Sequence, residues 1–147
     1  MRKQGLEAVE IEKGGKVEKD EQEWRQTLSA DQFHILRDHG TEMRESSPLL
    51  HEKRQGTFIC AGCGQPLFSS EKKYESGTGW PSFWAPLSEA TESVADTSYR
   101  MTRTEIRCAR CGGHLGHVFP DGPAPTGQRY CMNGAAMDFR CDPAADE

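Results

Sequence analysis

Apolar residues in the first third of the chain recur at helical spacing. Trp24 and Leu28 lie four residues apart, and Phe33 and Leu36 lie three apart. Residues one turn apart share a face of an α-helix, so these pairs predict two short helices. The run Ser-Ala-Asp-Gln just before Phe33 has the pattern of a capping box that begins the second helix, and Gly40 is its expected end.

The pattern of apolar residues changes after Pro48. From there the chain consists of short apolar or alternating runs separated by Gly and Pro. The clearest strand candidates are residues 57–59, 102–107, 128–132 and 138–140. Many short strands with frequent turn residues are typical of an antiparallel β domain. The sequence therefore predicts a mainly β fold preceded by short helices.

The start of the chain has a different composition from the rest. Residues 1–22 are rich in Glu, Lys and Gly and contain few apolar side chains, too few to offset the loss of chain entropy on folding. We expect a flexible charged tail over residues 1–22, a single domain over residues 23–143 and a short C-terminal tail over residues 144–147. A length of 147 residues suits one domain with its own core.

Composition and charge exclude several classes of protein. Hydrophobic residues make up 35% and charged residues 28%, with a net charge of −5. No basic stripe is present, and an acidic chain repels nucleic-acid phosphates. No apolar run approaches the roughly 18 residues of a membrane helix, and no apolar segment follows the first residues as in a secretory signal. A cytoplasmic location is the expectation.

Four of the six cysteines form two Cys-x-x-Cys pairs, Cys60 with Cys63 and Cys108 with Cys111. Each pair follows a predicted strand and is itself followed by Gly, which permits a tight turn. In a reducing compartment such pairs indicate metal binding or redox chemistry rather than structural disulfides. Two matched pairs supply the four thiolates of a closed, structural zinc site. A redox pair or disulfides are the alternatives, but one redox motif does not account for two matched pairs.

Cys131 is a candidate nucleophile. Arg129 lies two residues before it on a predicted strand, so both side chains face the same way and the guanidinium would favour a thiolate. Asn133 shares that face. His114 and His117 lie upstream, three residues apart, and a cysteine with histidines elsewhere in the chain is a pattern of nucleophilic catalysis. Taken alone, Cys131 is also consistent with an inert buried thiol.

Three segments together resemble the methionine-R-sulfoxide reductase family of the B type. They are residues 77–83 (Gly-Thr-Gly-Trp-Pro-Ser-Phe), 113–119 (Gly-His-Leu-Gly-His-Val-Phe) and 129–133 (Arg-Tyr-Cys-Met-Asn). A helical segment ending in Gly-Thr-Glu at residues 40–42 and both cysteine pairs also fit, so the resemblance covers about residues 24–139. It implies a fold of two antiparallel sheets with short N-terminal helices, stabilised by zinc.

The resemblance implies an enzyme that reduces methionine R-sulfoxide, in proteins or peptides and also free, back to methionine. It makes Cys131 the nucleophile that attacks the sulfoxide sulfur. His117 is then the acid that protonates the departing oxygen, with His114 assisting, and Asn133 orients or polarises the sulfoxide together with Arg129.

The resemblance also implies an apolar wall for the substrate methyl group, formed by Trp80 and Phe119. Such a wall would select one epimer, because the other epimer would place its oxygen against aromatic carbon. Without the resemblance, core packing is the simpler interpretation of both rings. The expected partners are oxidised proteins or peptides and a thiol reductant such as thioredoxin, and the expected state is a monomer.

One position departs from a common pattern of the family. Many members have a resolving cysteine two residues before the tryptophan of the first motif, and Thr78 stands there in this chain. Cys141 is an alternative resolving thiol, and direct attack by an external thiol on a sulfenic acid is another route. Donation by a zinc-bound cysteine is disfavoured because it would release the metal.

A competing hypothesis is a zinc-stabilised module that binds peptides without catalysis. In that case the aromatic residues Trp80, Phe83 and Trp84 would form a binding patch. Reactivity of Cys131 separates the two hypotheses, because a binding module needs no activated thiol.

Overall fold

The computed structural model describes residues 16–97 and 102–142. Within them, two α-helices precede nine strands. The helices are α1 (Glu21–Thr27) and α2 (Ala30–Asp38). The strands are β1 (Gly56–Cys60), β2 (Pro66–Ser69), β3 (Lys73–Tyr74), β4 (Ser82–Phe83), β5 (Thr91–Asp96), β6 (Arg103–Cys108), β7 (His114–Phe119), β8 (Arg129–Met132) and β9 (Met137–Cys141). Short 3-10 turns cover Ser70–Lys72 and Gly134–Ala136.

Both helices begin with a capping box, as predicted for α2. Ser29 accepts a hydrogen bond from the backbone of Gln32, whose side chain returns one to the Ser29 amide. Asp20 and Glu23 make the same reciprocal pair at the start of α1. A box of this kind satisfies backbone amides that the first helical turn leaves without partners.

The end of α2 differs in detail from the prediction. The helix ends at Asp38, and His39 rather than Gly40 takes the left-handed conformation, with φ of 57°. Gly40 is required for a different reason. A β-carbon there would collide with the ring of His34, since the Gly40 amide turns back to the His34 carbonyl. The Gly-Thr-Glu segment at 40–42 thus follows the helix instead of ending it.

The strands form two antiparallel sheets, which confirms the expected fold class. One sheet has three strands in the order β2-β1-β9, and the other has six in the order β3-β4-β8-β7-β6-β5. β8 lies inside the larger sheet between β4 and β7. In this register Cys131 stands opposite Ser82 on one side and His117 on the other. The sheet therefore fixes the position of Cys131 from both sides.

The core lies between the two sheets and beneath the helices. Phe58 and Phe68, from the smaller sheet, pack against Phe83 of the larger one, with ring centroids 5.0 and 4.2 Å apart. All three rings are fully buried. Truncating a core phenylalanine to alanine typically costs about 3–5 kcal/mol, so these contacts are a main source of cohesion between the sheets.

Part of the segment predicted as a tail contacts the domain. Lys16 donates to the Ala109 carbonyl and pairs with Glu92, and the Val17 amide donates to Arg110. Residues 1–15 and 143–147 lie outside the described residues, so the domain boundaries stay a prediction. Among the described helices, none is long and apolar enough to cross a membrane.

Candidate active site and metal centre

The two Cys-x-x-Cys pairs converge on one point. The sulfur atoms of Cys60, Cys63, Cys108 and Cys111 all lie within 4.8 Å of one another. The Sγ atoms are 3.7 Å apart for Cys60 and Cys111, and 3.6 Å apart for Cys63 and Cys108. Four sulfurs at these separations could hold a metal ion.

The two turns that present the sulfurs have the same construction. Cys60 ends β1 and Cys108 ends β6. The carbonyl of each accepts a hydrogen bond from the glycine four residues later, Gly64 or Gly112, and both glycines have positive φ, 81° and 76°. Backbone amides also point at the first sulfur of each pair, from Gly62 to Cys60 at 3.3 Å and from residue 110 to Cys108 at 3.4 Å. Donors aimed at sulfur stabilise thiolates, the form that binds metal.

The helices cover this cluster. Arg37 of α2 donates to the Cys111 carbonyl at 3.1 Å. Leu36 packs so close to Gly113 that a β-carbon there would lie 2.8 Å from its methyl group, and Trp24 of α1 lies similarly over Gly62. The cysteine cluster therefore joins the two sheets to the helices.

Cys131 opens into a pocket of about 140 Å³. The pocket is lined by Thr41, Trp80, Arg103, Gly116, His117, Phe119, Cys131, Met132 and Asn133. Gly116 has to be glycine, because a methyl group there would collide with the Cys131 carbonyl across the β7–β8 pair. Of the residues singled out in the sequence, the structure brings Trp80, His117, Phe119 and Asn133 together around Cys131.

The surroundings of Cys131 act on its thiol in opposite directions. Burial raises the pKa of Cys131 above its ordinary value and outweighs the lowering effects of the Thr78 hydroxyl and of Arg129. The expected influence of Arg129 is therefore present but smaller than that of burial. Within the free pocket, Cys131 is held mainly as a thiol at neutral pH.

His117 is oriented by the carboxylate of Asp96, which the sequence pattern does not predict. Its Nε2 lies 2.7 Å from Asp96 Oδ2, and Arg103 lies 3.3 Å from the same oxygen. This contact occupies Nε2 and leaves Nδ1 as the nitrogen available to a bound molecule. Asp96 ends β5, two strands away from β7 in the sheet.

His114 lies behind the pocket rather than in its lining. It is buried, and its Nδ1 contacts Glu105 at 2.8 Å. Glu105 is also buried and pairs with Arg107 at 3.0 Å and with His39 at 3.3 Å. Burial tends to raise the pKa of Glu105, but hydrogen bonds from Arg107 and His114 outweigh it and hold the pKa below its usual value. Burial also lowers the pKa of His114, so a neutral His114 faces an ionised Glu105.

The rings of the three histidines follow one another towards the pocket. His39 and His114 have ring centroids 5.3 Å apart, and His114 and His117 have centroids 5.5 Å apart. His34, His39 and His51 are exposed. The contacts of His39 with Glu105 and His114, however, distinguish it from an ordinary surface histidine.

Arg129 lies beside the pocket rather than in its lining, where a hydrogen bond from its guanidinium helps to lower the pKa of Cys131. It donates twice to Asp121, at 2.9 and 3.1 Å, and its guanidinium lies 4.4 Å over the ring of Phe119. Arg129 therefore buttresses Phe119 from behind. Phe119 and Trp80 are only partly buried, so neither is a plain core residue.

Thr78 occupies the position nearest to Cys131 where the family resemblance expects a thiol. Its Oγ1 lies 3.8 Å from Cys131 Sγ. Cys141, the other candidate resolving residue, ends β9 in the smaller sheet, opposite Gly56, whereas Cys131 belongs to the larger sheet. The structure thus places Thr78 next to Cys131, whereas Cys141 belongs to the other sheet.

The aromatic patch of the competing binding hypothesis does not form. Phe83 is fully buried between the sheets, while Trp80 and Trp84 are partly exposed. Since Phe83 is unavailable at the surface, these three residues do not make a common binding face.

Three acidic residues that organise the pocket were missed in the sequence. Asp96 and Glu105 are isolated acidic side chains in β strands, and Glu42 lies in the loop after α2. Only Glu42 had a signal, the Gly-Thr-Glu segment of the family resemblance. The other two depend on strand register, since Glu105 stands directly opposite His117.

Comparison with known proteins identifies the class to which this fold and pocket belong. Residues 28–141 match the SelR domain, and the chain belongs to that family. It is 53% identical to a peptide methionine sulfoxide reductase MsrB of Methanosarcina barkeri, over 86% of this chain and 89% of the relative. Proteins of the same name from Agrobacterium fabrum (51% identical; 84% and 93% covered) and Leptospira interrogans (50%; 84% and 95%) are similarly close. Within the SelR domain class, the chain is a member of the MsrB family.

Proposed function

We propose that this protein reduces methionine R-sulfoxide, chiefly in proteins and peptides, to methionine, with Cys131 as the nucleophile. The observation that carries the proposal is the pocket itself. A partly buried thiol lies between two aromatic rings, Trp80 and Phe119, with His117 paired to it across the sheet. Relatives at 50–53% identity are named for this reaction.

The reaction transfers oxygen from substrate sulfur to enzyme sulfur. The Cys131 thiolate attacks the sulfoxide sulfur, and an S–S bond forms as the protonated oxygen leaves that sulfur. The oxygen, as hydroxide or water, then bonds to the Cys131 sulfur while the S–S bond breaks, so methionine leaves and Cys131 becomes a sulfenic acid. Substrate sulfur is reduced and Cys131 is oxidised by the same two electrons. His117 supplies the proton that the oxygen needs, and Asp96 stabilises the charged ring before transfer. A neutral His114, held by Glu105, supports His117 from behind.

Preference for one epimer follows from the unlike walls of the pocket. Trp80 and Phe119 offer an apolar surface to the methyl group, while His117 and Asn133 offer polar atoms to the oxygen. The opposite epimer would place its oxygen against aromatic carbon without a hydrogen-bond partner, which costs on the order of 1–3 kcal/mol or more.

The sulfenic acid is most simply reduced by an external thiol. Thr78 has no sulfur to offer, and Cys141 belongs to the other sheet. An incoming dithiol such as thioredoxin would form a mixed disulfide with Cys131, releasing water, and its second thiol would then free Cys131. Cys141 stays a prediction as resolving residue.

The metal of the four-cysteine cluster is proposed to be a structural zinc ion. A tetrahedral ion with Zn–S bonds of about 2.3 Å places its sulfurs about 3.8 Å apart, close to the Sγ separations of 3.7 and 3.6 Å. Cys60, Cys63, Cys108 and Cys111 would hold it with no position left for substrate. Thiolate ligands of this kind suit a reducing compartment, in keeping with the predicted cytoplasmic location. A monomer stays the expected state.

The proposal is tested with separated R and S epimers of a methionine sulfoxide derivative and dithiothreitol as reductant. We expect turnover of the R epimer only, abolished in Cys131→Ser and retained in the matched variant Cys141→Ser. Mass spectrometry after one equivalent of substrate should show one added oxygen on Cys131. Folded, metal-loaded protein that turns over neither epimer would reject the assignment.

A further inference from the structure

Glu42 is absent from the pocket lining, yet it holds two of the pocket walls. Its carboxylate accepts hydrogen bonds from the backbone amides of Gly134 and Ala135, both at 2.8 Å. Its own amide donates to Asn133 Oδ1 at 2.9 Å, and its carbonyl accepts from the Trp80 indole at 3.1 Å. One residue of the loop after α2 is therefore bonded to both the polar and the apolar side of the pocket.

The Glu42 carboxylate takes the place of a cap that Asn133 would otherwise supply. Asn133 directly precedes the 3-10 turn Gly134–Ala136, a position from which Asn side chains ordinarily accept hydrogen bonds from the amides that follow. It makes no such bond. Its Oδ1 accepts instead from Glu42, and its Nδ2 donates to the Leu115 carbonyl at 3.1 Å. Because Glu42 accepts the hydrogen bonds of the first two amides of the turn, the Asn133 side-chain amide stays at the pocket.

We propose that Glu42 is a positioning residue that sets epimer discrimination by keeping the Asn133 side chain in the pocket, opposite Trp80. The inference rests on the proposed function. When the carboxylate is removed, the amides of Gly134 and Ala135 lose their partner, and the Asn133 side chain turns to cap them. The pocket then loses a polar group on one wall, and the two sulfoxide epimers become harder to tell apart.

A second effect separates this role from general damage to the fold. Burial is the main cause of the raised pKa of Cys131, and the negative charge of Glu42 adds to it. Neutralising Glu42 therefore makes the thiol easier to ionise. Alkylation of Cys131 at neutral pH should rise while epimer discrimination falls, and in Glu42→Gln both changes should occur without a fall in Tm. Loosening of the fold would also raise alkylation by exposing the thiol, but it would lower Tm.

The test compares Glu42→Ala, Glu42→Gln, Asn133→Ala and the double variant Glu42→Ala/Asn133→Ala, by kcat/KM for each epimer. Glu45→Gln is the matched control, because its carboxylate is exposed and, among the described residues, forms its ion pair with neighbouring Arg44. We expect the R-to-S ratio to fall about tenfold in Glu42→Ala. The double variant should be no worse than Asn133→Ala, since residues that act through one another are not additive. Glu42→Gln, which keeps one acceptor, covers the case in which the alanine variant fails to fold.

Proton–nitrogen correlation spectra give a readout that needs no turnover. The side-chain amide signal of Asn133, assigned by its absence in Asn133→Ala, should move in Glu42→Ala and stay in place in Glu45→Gln. An unmoved signal, or additive losses in the double variant, would overturn the inference. If wild type turns over neither epimer, the proposed function fails instead, and the amide signal alone decides whether Glu42 holds Asn133.

Discussion

At the scale of single residues, the chemistry of Cys131 is set by a balance between burial and charge. Burial raises the pKa of its thiol, while Thr78 and Arg129 oppose the change without reversing it. A thiol that stays protonated in the free protein reacts slowly with oxidants other than the substrate, because the thiolate is the reactive form. If the proposed function holds, binding of substrate in the pocket is the step at which we expect the thiolate to form.

The resting thiol should consequently react slowly with alkylating agents. This differs from the activated thiol expected of an enzyme from the sequence, so turnover of the sulfoxide, rather than labelling of the free protein, separates the enzyme from a binding module. In a Cys141→Ser background, we expect iodoacetamide to label Cys131 more slowly at pH 7 than it labels a simple thiol of pKa about 8.5. The rate should climb as the pH rises past that value, because the raised pKa delays ionisation. Arg129→Ala should shift the profile to still higher pH, whereas Arg129→Lys, which keeps the charge, should shift it less. Labelling faster than the simple thiol at pH 7 would contradict this account.

The short distance between Thr78 and Cys131 predicts that one substitution creates a disulfide. The Thr78 hydroxyl lies 3.8 Å from the Cys131 sulfur, so a thiol at the same position needs only a small shift to reach bonding distance. Thr78→Cys, oxidised with one equivalent of sulfoxide, should lose two hydrogens and form this disulfide, seen by peptide mapping. Ser93→Cys, on the distant strand β5, should not. A stable sulfenic acid in Thr78→Cys would show that the loop cannot close.

At the scale of elements, the pairing of strands β5 to β8 aligns the side chains around Cys131. Cys131, His117 and Glu105 stand on three successive strands, paired in register. β5 adds Asp96, which holds His117. Antiparallel pairing places directly opposite residues about 4.5–5.5 Å apart, so the alignment follows from backbone hydrogen bonds rather than from loop conformation.

The buried Glu105 should make the β6–β7 pair sensitive to acid. Its pKa is lowered in the folded state from an ordinary value of 4.5, so its stabilising contribution is complete above that pH. The contribution is lost as the pH falls below 4.5 through the folded-state pKa. We expect wild type to be more stable than Glu105→Gln at pH 7 and the difference to shrink on acidification. Urea unfolding at several pH values measures this, with Glu71→Gln, at an exposed position of the 3-10 turn Ser70–Lys72, as control. A difference independent of pH would contradict it.

At the scale of the whole molecule, the cysteine cluster is the joint between the two sheets. Cys60 ends a strand of the smaller sheet and Cys108 ends a strand of the larger one, while α2 contacts the cluster through Arg37. Metal binding at this joint constrains segments that are far apart in sequence, where the entropy of the unfolded chain is greatest.

Removal of the metal should therefore destabilise the whole fold rather than one loop. Zinc binds cysteine-rich peptides with about 10–16 kcal/mol, so its loss should lower the free energy of unfolding by several kcal/mol. Prolonged treatment with a strong chelator, or Cys108→Ser, should lower Tm and release about one zinc per chain. Cys141→Ser should change neither quantity. Unchanged Tm and full activity in the chelated protein would show that zinc does not stabilise the fold.

The sequence was sufficient for the metal cluster, and insufficient for the carboxylates of the pocket. Cys60 with Cys63 and Cys108 with Cys111 carry their geometry in a spacing of two intervening residues, which is local. Residue type alone makes Cys131 and His117 candidates, and the resemblance to a family assigns them their roles. Asp96 and Glu105 have no local signature, because their contacts exist only once strand pairing has set the register.

Smaller differences between prediction and structure also arise where contacts between distant segments, rather than local sequence, determine the structure. The boundaries of α2 were anticipated at Ser29, where the cap is local, and less well at its end, where His39 is held in the left-handed conformation beside Glu105. The strand candidates do not include β2, β3, β4, β5 or β7. β5, for example, mixes polar and apolar residues and, in the described part of the chain, pairs with β6 alone. Local sequence preferences account for where α2 begins, whereas contacts with distant segments determine where it ends and where β5 forms.

The pairing of β1 with β9 has a consequence for how the protein is made. These strands run side by side from Gly56 opposite Cys141 to Cys60 opposite Met137, although most of the domain lies between them in sequence. On the ribosome, β1 and the first cysteine pair emerge long before β9 does. The smaller sheet therefore stays incomplete through nearly all of synthesis, with Phe58 still open to solvent. Contacts of such long sequence separation form slowly, so the nascent chain passes through a stage at which its own methionines and thiols are exposed to oxidants before the fold that shelters them is closed.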